Sequence, residues 1–252
     1  MAETLPKWPK GRVTFLFTDI KDSTVRAQTY GDLVYDAQLR GPHHERLRSV
    51  IHVHTGRFFQ DKGDGVVAVF EHPTDAVACA LALQRSFRDD PIRVGESGPP
   101  LTVRMGLNTA PEDQNLHPDD PERPQYLANA LNYCSRVEGP ADAGQILLSD
   151  ETKSGLMVGF EQTYNATFHP WPGRKLKSYS RGHTLWDVLY DGREPKEPGT
   201  PWIPLSALSP RRAGVRGVTE ARGARRASRH PPAPPPTGLF AQSAAPRLYR
   251  AV

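Results

Sequence analysis

The chain has 252 residues, 37% of them hydrophobic, and a formal net charge of +4 at pH 7. This length allows one sizeable domain with an appendage, and the longest apolar stretch, residues 77–83, is too short to cross a bilayer. Residues 1–12 lack the apolar core of a secretion signal, and the two cysteines, Cys79 and Cys134, fall within predicted helices. We therefore expect a cytoplasmic protein with reduced thiols and no membrane span.

Hydrophobic periodicity predicts a domain that mixes strands and helices. A helical pattern over residues 32–53 is interrupted at Gly41-Pro42, and residues 111–124, rich in Asp, Glu and Pro, are predicted to form a loop. The other predicted helices begin near Ser23 and cover residues 74–87 and 126–138, and the predicted strands are residues 13–18, 57–60, 66–70, 101–107, 145–148, 160–168 and 184–190.

Two carboxylates stand next to these strands in a way that suits metal binding. Asp19 comes directly after the first strand, and Asp64 lies in the turn of the hairpin predicted between residues 57–60 and 66–70. Mg²⁺ is usually held by one or two carboxylates together with substrate phosphates, and paired metals stabilise both attacking and leaving oxygens. The pattern favours a two-metal phosphate site. Taken singly, Asp19 also fits the cap of the helix that begins near Ser23, and Asp64 also fits an ordinary hairpin turn.

A pair of polar residues on a later helix supports the phosphate interpretation. Asn132 and Arg136 are four residues apart within the helix predicted at 126–138, so their side chains share one face. Arg supplies a permanent, forked charge for phosphate oxygens, and Asn can orient a ribose. The alternative is a solvated helix face on which Arg136 pairs with a nearby acid.

Five stretches, in this order, resemble the catalytic domain of class III nucleotide cyclases. The resemblance implies an α+β fold of the ferredoxin-like class III cyclase type, with a mixed, mostly antiparallel sheet and helices packed on it. The resemblance spans roughly residues 11–190. Together with a change of composition at about Arg193, it predicts a catalytic domain at residues 11–192, after an N-terminal segment at residues 1–10 and before a tail at residues 193–252. The matching stretches are residues 13–20 with Ser23 and Thr24, then 63–70, 103–109, 132–136 and 144–149.

The resemblance also implies the catalytic residues and the reaction. Asp19, Ile20 and Asp64 would hold two divalent metal ions, Mg²⁺ or Mn²⁺, while Asn132 and Arg136 come from the other subunit of a head-to-tail homodimer and stabilise the transition state. The ribose 3′-hydroxyl of a nucleoside triphosphate attacks its own α-phosphate and releases pyrophosphate. Positioning and charge neutralisation supply most of the catalysis in such a transfer.

The implied phosphate-binding residues include one departure from the family. Ser23 and Thr24 open a helix whose backbone N–H groups suit phosphate oxygens, and Lys177 stands where the family keeps a phosphate-contacting Lys. Lys177 fits a basic, solvated sheet edge equally well. Many family members carry Gly where this chain has Asp22; we expect that carboxylate to point into solvent, against the alternative that it lies near the polyphosphate and repels it.

Base recognition departs from the family at two positions. Adenylate cyclases place Lys and Asp, and guanylate cyclases Glu and often Cys, where this chain has Gln60 and Gln125. A neutral amide both donates and accepts hydrogen bonds, so neither Gln reproduces the adenine pair or the guanine pair. The two residues favour a pyrimidine cyclase, similar to the bacterial anti-phage cyclases that make cyclic UMP or cyclic CMP, over a divergent purine cyclase or an inactive homologue.

An RNA-binding module is the alternative from another class of function. Residues 62–69 loosely follow the basic-Gly-aromatic signature of an RNA-recognition sheet. Asp64 and Val66 stand where that signature needs aromatic rings to stack on unpaired bases, which argues against RNA binding.

The C-terminal tail differs from the rest of the chain in charge. Residues 193–252 carry eleven Arg or Lys against three Glu, a net charge of +8. Because the whole chain has a net charge of +4, residues 1–192 have a net charge of −4. The tail has eleven prolines, five of which form the run 231–236 with one Ala, and this composition predicts disorder. The alternative is a basic tether for an acidic partner, a nucleic acid or a membrane surface, and the sequence does not specify which.

Overall fold

A seven-stranded sheet is the centre of the computed structural model, which describes residues 8–110, 126 and 128–199. The strands are β1 (Thr14–Ile20), β2 (Arg57–Asp61), β3 (Val66–Phe70), β4 (Val103–Thr109), β5 (Ile146–Leu148), β6 (Ala166–Lys175) and β7 (Gly182–Tyr190). Their order is β2-β3-β1-β4-β5-β7-β6, with β4 and β5 parallel and the other neighbours antiparallel. The predicted α+β architecture with a mixed, mostly antiparallel sheet is confirmed.

The helices pack on both faces of this sheet. They are α1 (Ser23–Tyr30), α2 (Asp32–Tyr35), α3 (Gly41–Val53), α4 (Pro73–Asp89), α5 (Ala128–Glu138), α6 (Asp150–Ser154) and α7 (Phe160–Tyr164), and a π-helical turn, Asp36–Arg40, joins α2 to α3.

Strand β1 contributes to a hydrophobic core on each face, because successive side chains of a strand point to opposite sides. Leu16 belongs to the larger core, which includes residues of α3 and α4. Phe15 and Phe17 belong to the smaller core, where α5 contributes Ala130 and Cys134. A strand buried on both faces places the residue at its end, Asp19, at the rim of a rigid sheet.

The helical segment predicted to break at Gly41-Pro42 is continuous in the structure. Proline lacks an N–H, and in a regular α-helix its ring collides with the carbonyl four residues earlier. The π turn Asp36–Arg40 ends immediately before this pair, and the Gly41 N–H donates to the Asp36 carbonyl five residues back. The wider turn lets the chain pass into α3, which has proline in its first turn.

Two further sequence predictions change at their boundaries. The strand predicted at residues 160–168 is helix α7 followed by β6, because Asn165, with φ 48°, ends the helix in a left-handed conformation. Residues 193–199, assigned to the tail by sequence, pack on the domain: Arg193 Nη1 lies 2.7 Å from Asp187 Oδ1, and the Gly199 N–H lies 2.9 Å from the Pro140 carbonyl.

Several predictions fall outside the described residues. These are the loop at 111–124, Gln125, most of the N-terminal segment and the tail from residue 200 onward. Among the residues that the structure describes, both cysteines are free and buried, and no helix has the length and apolar character that a membrane span requires.

Candidate active site

Asp19 and Asp64 lie at adjoining positions because the β2–β3 turn packs against the end of β1. The Val66 N–H donates to Thr18 Oγ1 at 3.1 Å. Gly65 approaches β1 so closely that a Cβ atom added there would lie 1.8 Å from the Thr18 carbonyl oxygen and 3.2 Å from the Asp19 Cα. Only glycine fits this approach, which places Asp64, the residue before Gly65, beside the end of β1.

Asp19 is paired with an arginine on the neighbouring strand. Arg104 of β4 stands opposite Asp19 in the β1–β4 register, and its Nε and Nη2 lie 3.0 and 2.6 Å from Asp19 Oδ2. The same guanidinium donates to the Gly139 carbonyl at 2.7 Å and forms an ion pair with Glu138, Nε to Oε1, also at 2.7 Å. Burial raises the pKa of Glu138 to about 7, against the lowering effect of Arg104.

Asp64 accepts a hydrogen bond from a buried tyrosine. Tyr35, the last residue of α2, is 6% exposed, and its hydroxyl lies 2.8 Å from Asp64 Oδ1. Burial raises the pKa of Tyr35 well above its usual range, and the hydrogen bond to Asp64 raises it further. The phenol is therefore a protonated donor to Asp64 at neutral pH.

Each of the two acids keeps one oxygen without a protein partner. Asp19 Oδ1 and Asp64 Oδ2 accept no hydrogen bond from the described part of the chain, whereas the other oxygen of each acid is bonded. The Ile20 side chain is a buried hydrocarbon with no ligand atom, so only its main-chain carbonyl could bind an ion. Across residues 8–110, 126 and 128–199, no group of three or more His, Cys, Asp or Glu residues could hold a metal. The oxygens present suit Mg²⁺ or Mn²⁺ held jointly with substrate phosphates.

Asn132 and Arg136 line a different part of the surface. Both project from α5 into a cleft of about 750 Å³, whose other walls include the segment from Ser178 to His183. Neither Asp19 nor Asp64 lines this cleft. The structure therefore brings the two acids together, and Asn132 together with Arg136, but does not place all four residues in one cleft of a single chain.

The remaining predicted site residues lie at the borders of these two regions. Ser23 begins α1, and Thr24 follows it, exposed. Asp22 precedes the helix with φ 59°, the left-handed region that favours glycine, and its side chain is exposed and makes no capping bond. The side chain thus extends into solvent, as predicted, and the backbone conformation accounts for the Gly that many cyclases carry there.

Gln60 and Lys177 are both exposed near sheet edges. Gln60 lies on the edge strand β2, directly after an irregularity in its pairing with β3, and Gln125 falls outside the described residues. Lys177 follows the edge strand β6, one residue before the segment that lines the Arg136 cleft. The substrate roles of Gln60 and Lys177, and the solvated edge as the alternative for Lys177, stay predictions.

Sequence reasoning missed three residues of the acid site: Tyr35, Arg104 and Glu138. Arg104 belongs to a stretch that matched the cyclase pattern, and its place in an alternating strand was a signal that it shares a face with Asp19 once the register is known. Tyr35 had no comparable signal, because it contacts Asp64 through packing between segments 29 residues apart.

Sequence comparisons relate the chain to nucleotide cyclases. The sequence model of the adenylate and guanylate cyclase catalytic domain matches residues 5–179. The adenylate cyclase of Lachancea kluyveri is 30% identical over 57% of the chain, and putative adenylate cyclase 3 of Rhizobium meliloti (strain 1021) is 32% identical over 42%. The chain spans only 8% and 17% of the lengths of these two relatives.

Solved structures share the fold at lower sequence identity. A structure of adenylate cyclases from Trypanosoma brucei in their monomeric state superposes with a TM-score of 0.62 and 20% identity, over 79% of this chain and 97% of the other. The guanylate cyclase domain of RhGC from Catenaria anguillulae, in complex with GTP, gives a TM-score of 0.56 and 20% identity, over 72% and 98%. At these identities the likeness extends to the fold alone.

Proposed function

Because the chain belongs to the adenylate and guanylate cyclase catalytic domain family, we propose that it converts a nucleoside triphosphate into a 3′,5′-cyclic nucleoside monophosphate and pyrophosphate. The observation that carries the proposal is the acid site. Asp19 and Asp64 adjoin at the end of β1, and each keeps one oxygen free of protein partners among the described residues. Two such carboxylates fit a pair of divalent ions bound together with a triphosphate.

Each protein group has a defined part in the proposed reaction. Asp19 and Asp64, with the Ile20 carbonyl, would hold the two ions, Mg²⁺ or Mn²⁺, which when bound acidify the 3′-hydroxyl and neutralise the triphosphate. Asn132 orients the ribose, and Arg136 offers its fixed charge to the phosphate oxygens that gain negative charge in the transition state. Main-chain N–H groups at Ser23 and Thr24, together with Lys177, contact the polyphosphate.

The separation of the two regions supports a head-to-tail homodimer. Asn132 and Arg136 line a cleft that neither acid lines, so one chain presents the two halves of the proposed site apart. A second chain, turned head to tail, brings the acid site of one protomer to the Arg136 cleft of its partner.

The base that we propose is a pyrimidine, UTP or CTP. Gln60 is exposed on β2 and neutral, so it provides neither the charge of an adenine-reading Lys nor that of a guanine-reading Glu. In this proposal the product is a second messenger, as it is for the anti-phage pyrimidine cyclases that the sequence resembles. A purine cyclase is the alternative, because the two relatives compared above are named adenylate cyclases.

RNA binding has no support from the sheet. Residues 62–69, which loosely followed an RNA-recognition signature, form the β2–β3 turn and most of β3, and Val66 to Val69 are fully buried. An RNA-recognition sheet needs exposed aromatic rings on which bases stack, and this strand exposes none.

The primary test is a substrate panel. The purified 252-residue chain is incubated with Mn²⁺ and each of ATP, GTP, CTP and UTP, and cyclic products are identified by mass. Asp64→Ala should lower turnover by more than about 10²-fold, the scale for removing one preorganised electrostatic group. The control, Asp89→Ala, removes an exposed carboxylate of α4 and should leave turnover unchanged. Wild-type turnover in Asp64→Ala would exclude the proposed site.

The dimer is tested by mixing two inactive variants. Asp64→Ala and Arg136→Ala remove opposite halves of the proposed site, so their heterodimer contains one intact site and one doubly damaged site. An equimolar mixture should therefore regain up to about one quarter of wild-type activity per protomer, given random pairing. Failure to regain activity, with subunit exchange demonstrated by a labelled protomer, would exclude a site shared between protomers.

Base choice is tested by restoring the adenine pair. Gln60→Lys with Gln125→Asp should raise the ratio of turnover on ATP to turnover on UTP and CTP. Once a bound base covers these side chains, an unpaired donor or acceptor costs about 1–3 kcal/mol, which corresponds to roughly 5- to 150-fold in preference. An active double variant with an unchanged ratio would show that these positions do not read the base, and the pyrimidine proposal would lose its basis.

A further inference from the structure

The two acids of the site have protein partners of different kinds. Asp19 is bonded through one oxygen to Arg104, a permanent cation. Asp64 is bonded through one oxygen to the hydroxyl of Tyr35, a neutral donor. Asp19 therefore meets an incoming metal ion with part of its charge already balanced, whereas Asp64 meets it with its charge intact.

Tyr35 is fixed in position by its surroundings. It belongs to the main hydrophobic core with Leu39 and Leu47, and its backbone N–H donates to the Gly31 carbonyl at 3.0 Å. A buried ring on a helix has few rotamers, so its hydroxyl is a fixed donor rather than one that must be ordered when a ligand binds. The carboxylate that it contacts sits in a turn with Gly63 and Gly65 on either side, and such a turn has little rigidity of its own.

We propose that Tyr35 is a positioning residue for the metal site, holding the Asp64 carboxylate so that Oδ2 faces the divalent ion. This inference rests on the proposed two-metal function. The hydrogen bond occupies Oδ1 and thereby fixes the rotation of the carboxylate about its last bond. Partners of this kind, one step removed from a metal, orient the ligand and typically change metal affinity by about 10- to 100-fold when removed.

Tyr35→Phe isolates the hydroxyl, because phenylalanine keeps the buried ring and its packing. Tyr190→Phe is the matched control: this residue is also partly buried and donates its hydroxyl to a main-chain carbonyl, that of Gly144, at 2.7 Å. Mn²⁺ binding to the full chain, without nucleotide, is measured by the loss of the free-ion electron paramagnetic resonance signal. We expect Mn²⁺ dissociation constants at least about 10-fold higher for Tyr35→Phe and unchanged for Tyr190→Phe.

Two further measurements separate positioning from a general effect on folding. In the cyclase assay, Tyr35→Phe should raise the Mn²⁺ concentration for half-maximal activity while turnover at saturating Mn²⁺ stays within about 3-fold of wild type. The double variant Tyr35→Phe/Asp64→Ala should bind Mn²⁺ no more weakly than Asp64→Ala alone, since the hydroxyl acts through that carboxylate.

The possible outcomes distinguish a failure of the proposed metal site from a failure of the positioning role of Tyr35. If Asp64→Ala binds Mn²⁺ as the wild type does, the metal site itself is wrong. If Asp64→Ala loses Mn²⁺ but Tyr35→Phe does not, the site stands and the positioning role of Tyr35 is refuted. Equal weakening in Tyr35→Phe and Tyr190→Phe would also refute it, because a loss shared with a hydroxyl that contacts neither acid is not specific to Asp64.

Discussion

Gly65→Ala tests whether the close approach of the β2–β3 turn to β1 is needed for activity. The added Cβ would lie 1.8 Å from the Thr18 carbonyl oxygen. Since a carbon and a carbonyl oxygen normally approach to about 3.3 Å, the turn must retreat by about 1.5 Å. The atoms that the added Cβ would meet, in Thr18 and Asp19, all belong to the main chain, so no side chain can rotate away to make room.

The expected loss follows from this displacement. Asp64 moves with the turn while Asp19 stays on the buried strand, so the two acids no longer face the same ions. A misplacement of about 1 Å in a catalytic group can cost about 10²-fold in rate, and we expect at least that loss in turnover. The assay is cyclic product formed per minute with saturating Mn²⁺ and the preferred triphosphate, alongside the melting temperature.

Gly63→Ala is the matched control within the same turn. Gly63 has φ 84°, and nothing lies within 4 Å of a Cβ added there. This variant carries the strain of a left-handed residue, about 1–2 kcal/mol, without a clash against β1. It should keep turnover within several-fold of wild type. A Gly65→Ala protein as active as Gly63→Ala would show that the approach of the turn to β1 does not position the acids.

Two further predictions concern stability. Burial lowers the pKa of His43 to about 3 in the folded protein, whereas His43 in the unfolded chain has a pKa near 6.5. Between these two values the unfolded chain binds a proton at His43 and the folded chain does not. The free energy of unfolding should therefore fall as pH drops from 7 to 5, by about 2 kcal/mol more than in His43→Leu, measured by urea titration; parallel profiles would contradict this. Asp187, fully buried, accepts bonds from Gln145, Arg193 and the Lys196 N–H. Asp187→Ala should cost about 3–5 kcal/mol, whereas Asp36→Ala, which removes an exposed ion pair, should cost less than about 1 kcal/mol; equal costs would refute the distinction.

The strands and long helices were predictable because their burial is regular. Every residue of β3 is buried, and the buried residues of α4 include Ala76, Ala80, Leu83 and Phe87 at helical spacing, so local patterns contain the necessary information. Helix α7 was predicted as part of a strand because its five residues are too few to show a helical period, and its end depends on the left-handed Asn165.

The acid site was predictable in part. Asp19 and Asp64 were conspicuous because each lies next to an apolar strand, and the family resemblance implied that both bind metal ions. Their partners were not predictable, because Arg104 and Tyr35 meet these acids only after the sheet register and the core packing are fixed. Contacts between residues 85 and 29 positions apart leave no trace in a local pattern.

The π turn has a consequence for the phase of the helical segment that contains it. Tyr35, Leu39, His43, Leu47 and Ile51 are all buried, and they recur at intervals of four residues. In a pure α-helix each such interval overshoots a full turn by about 40°, so five residues at this spacing would wind away from the sheet. The wider turn takes up part of this drift and keeps the stripe on one side. Deleting one residue there would swing Tyr35 by about 100° about the helix axis, so the partner of Asp64 is set by the register of a core helix.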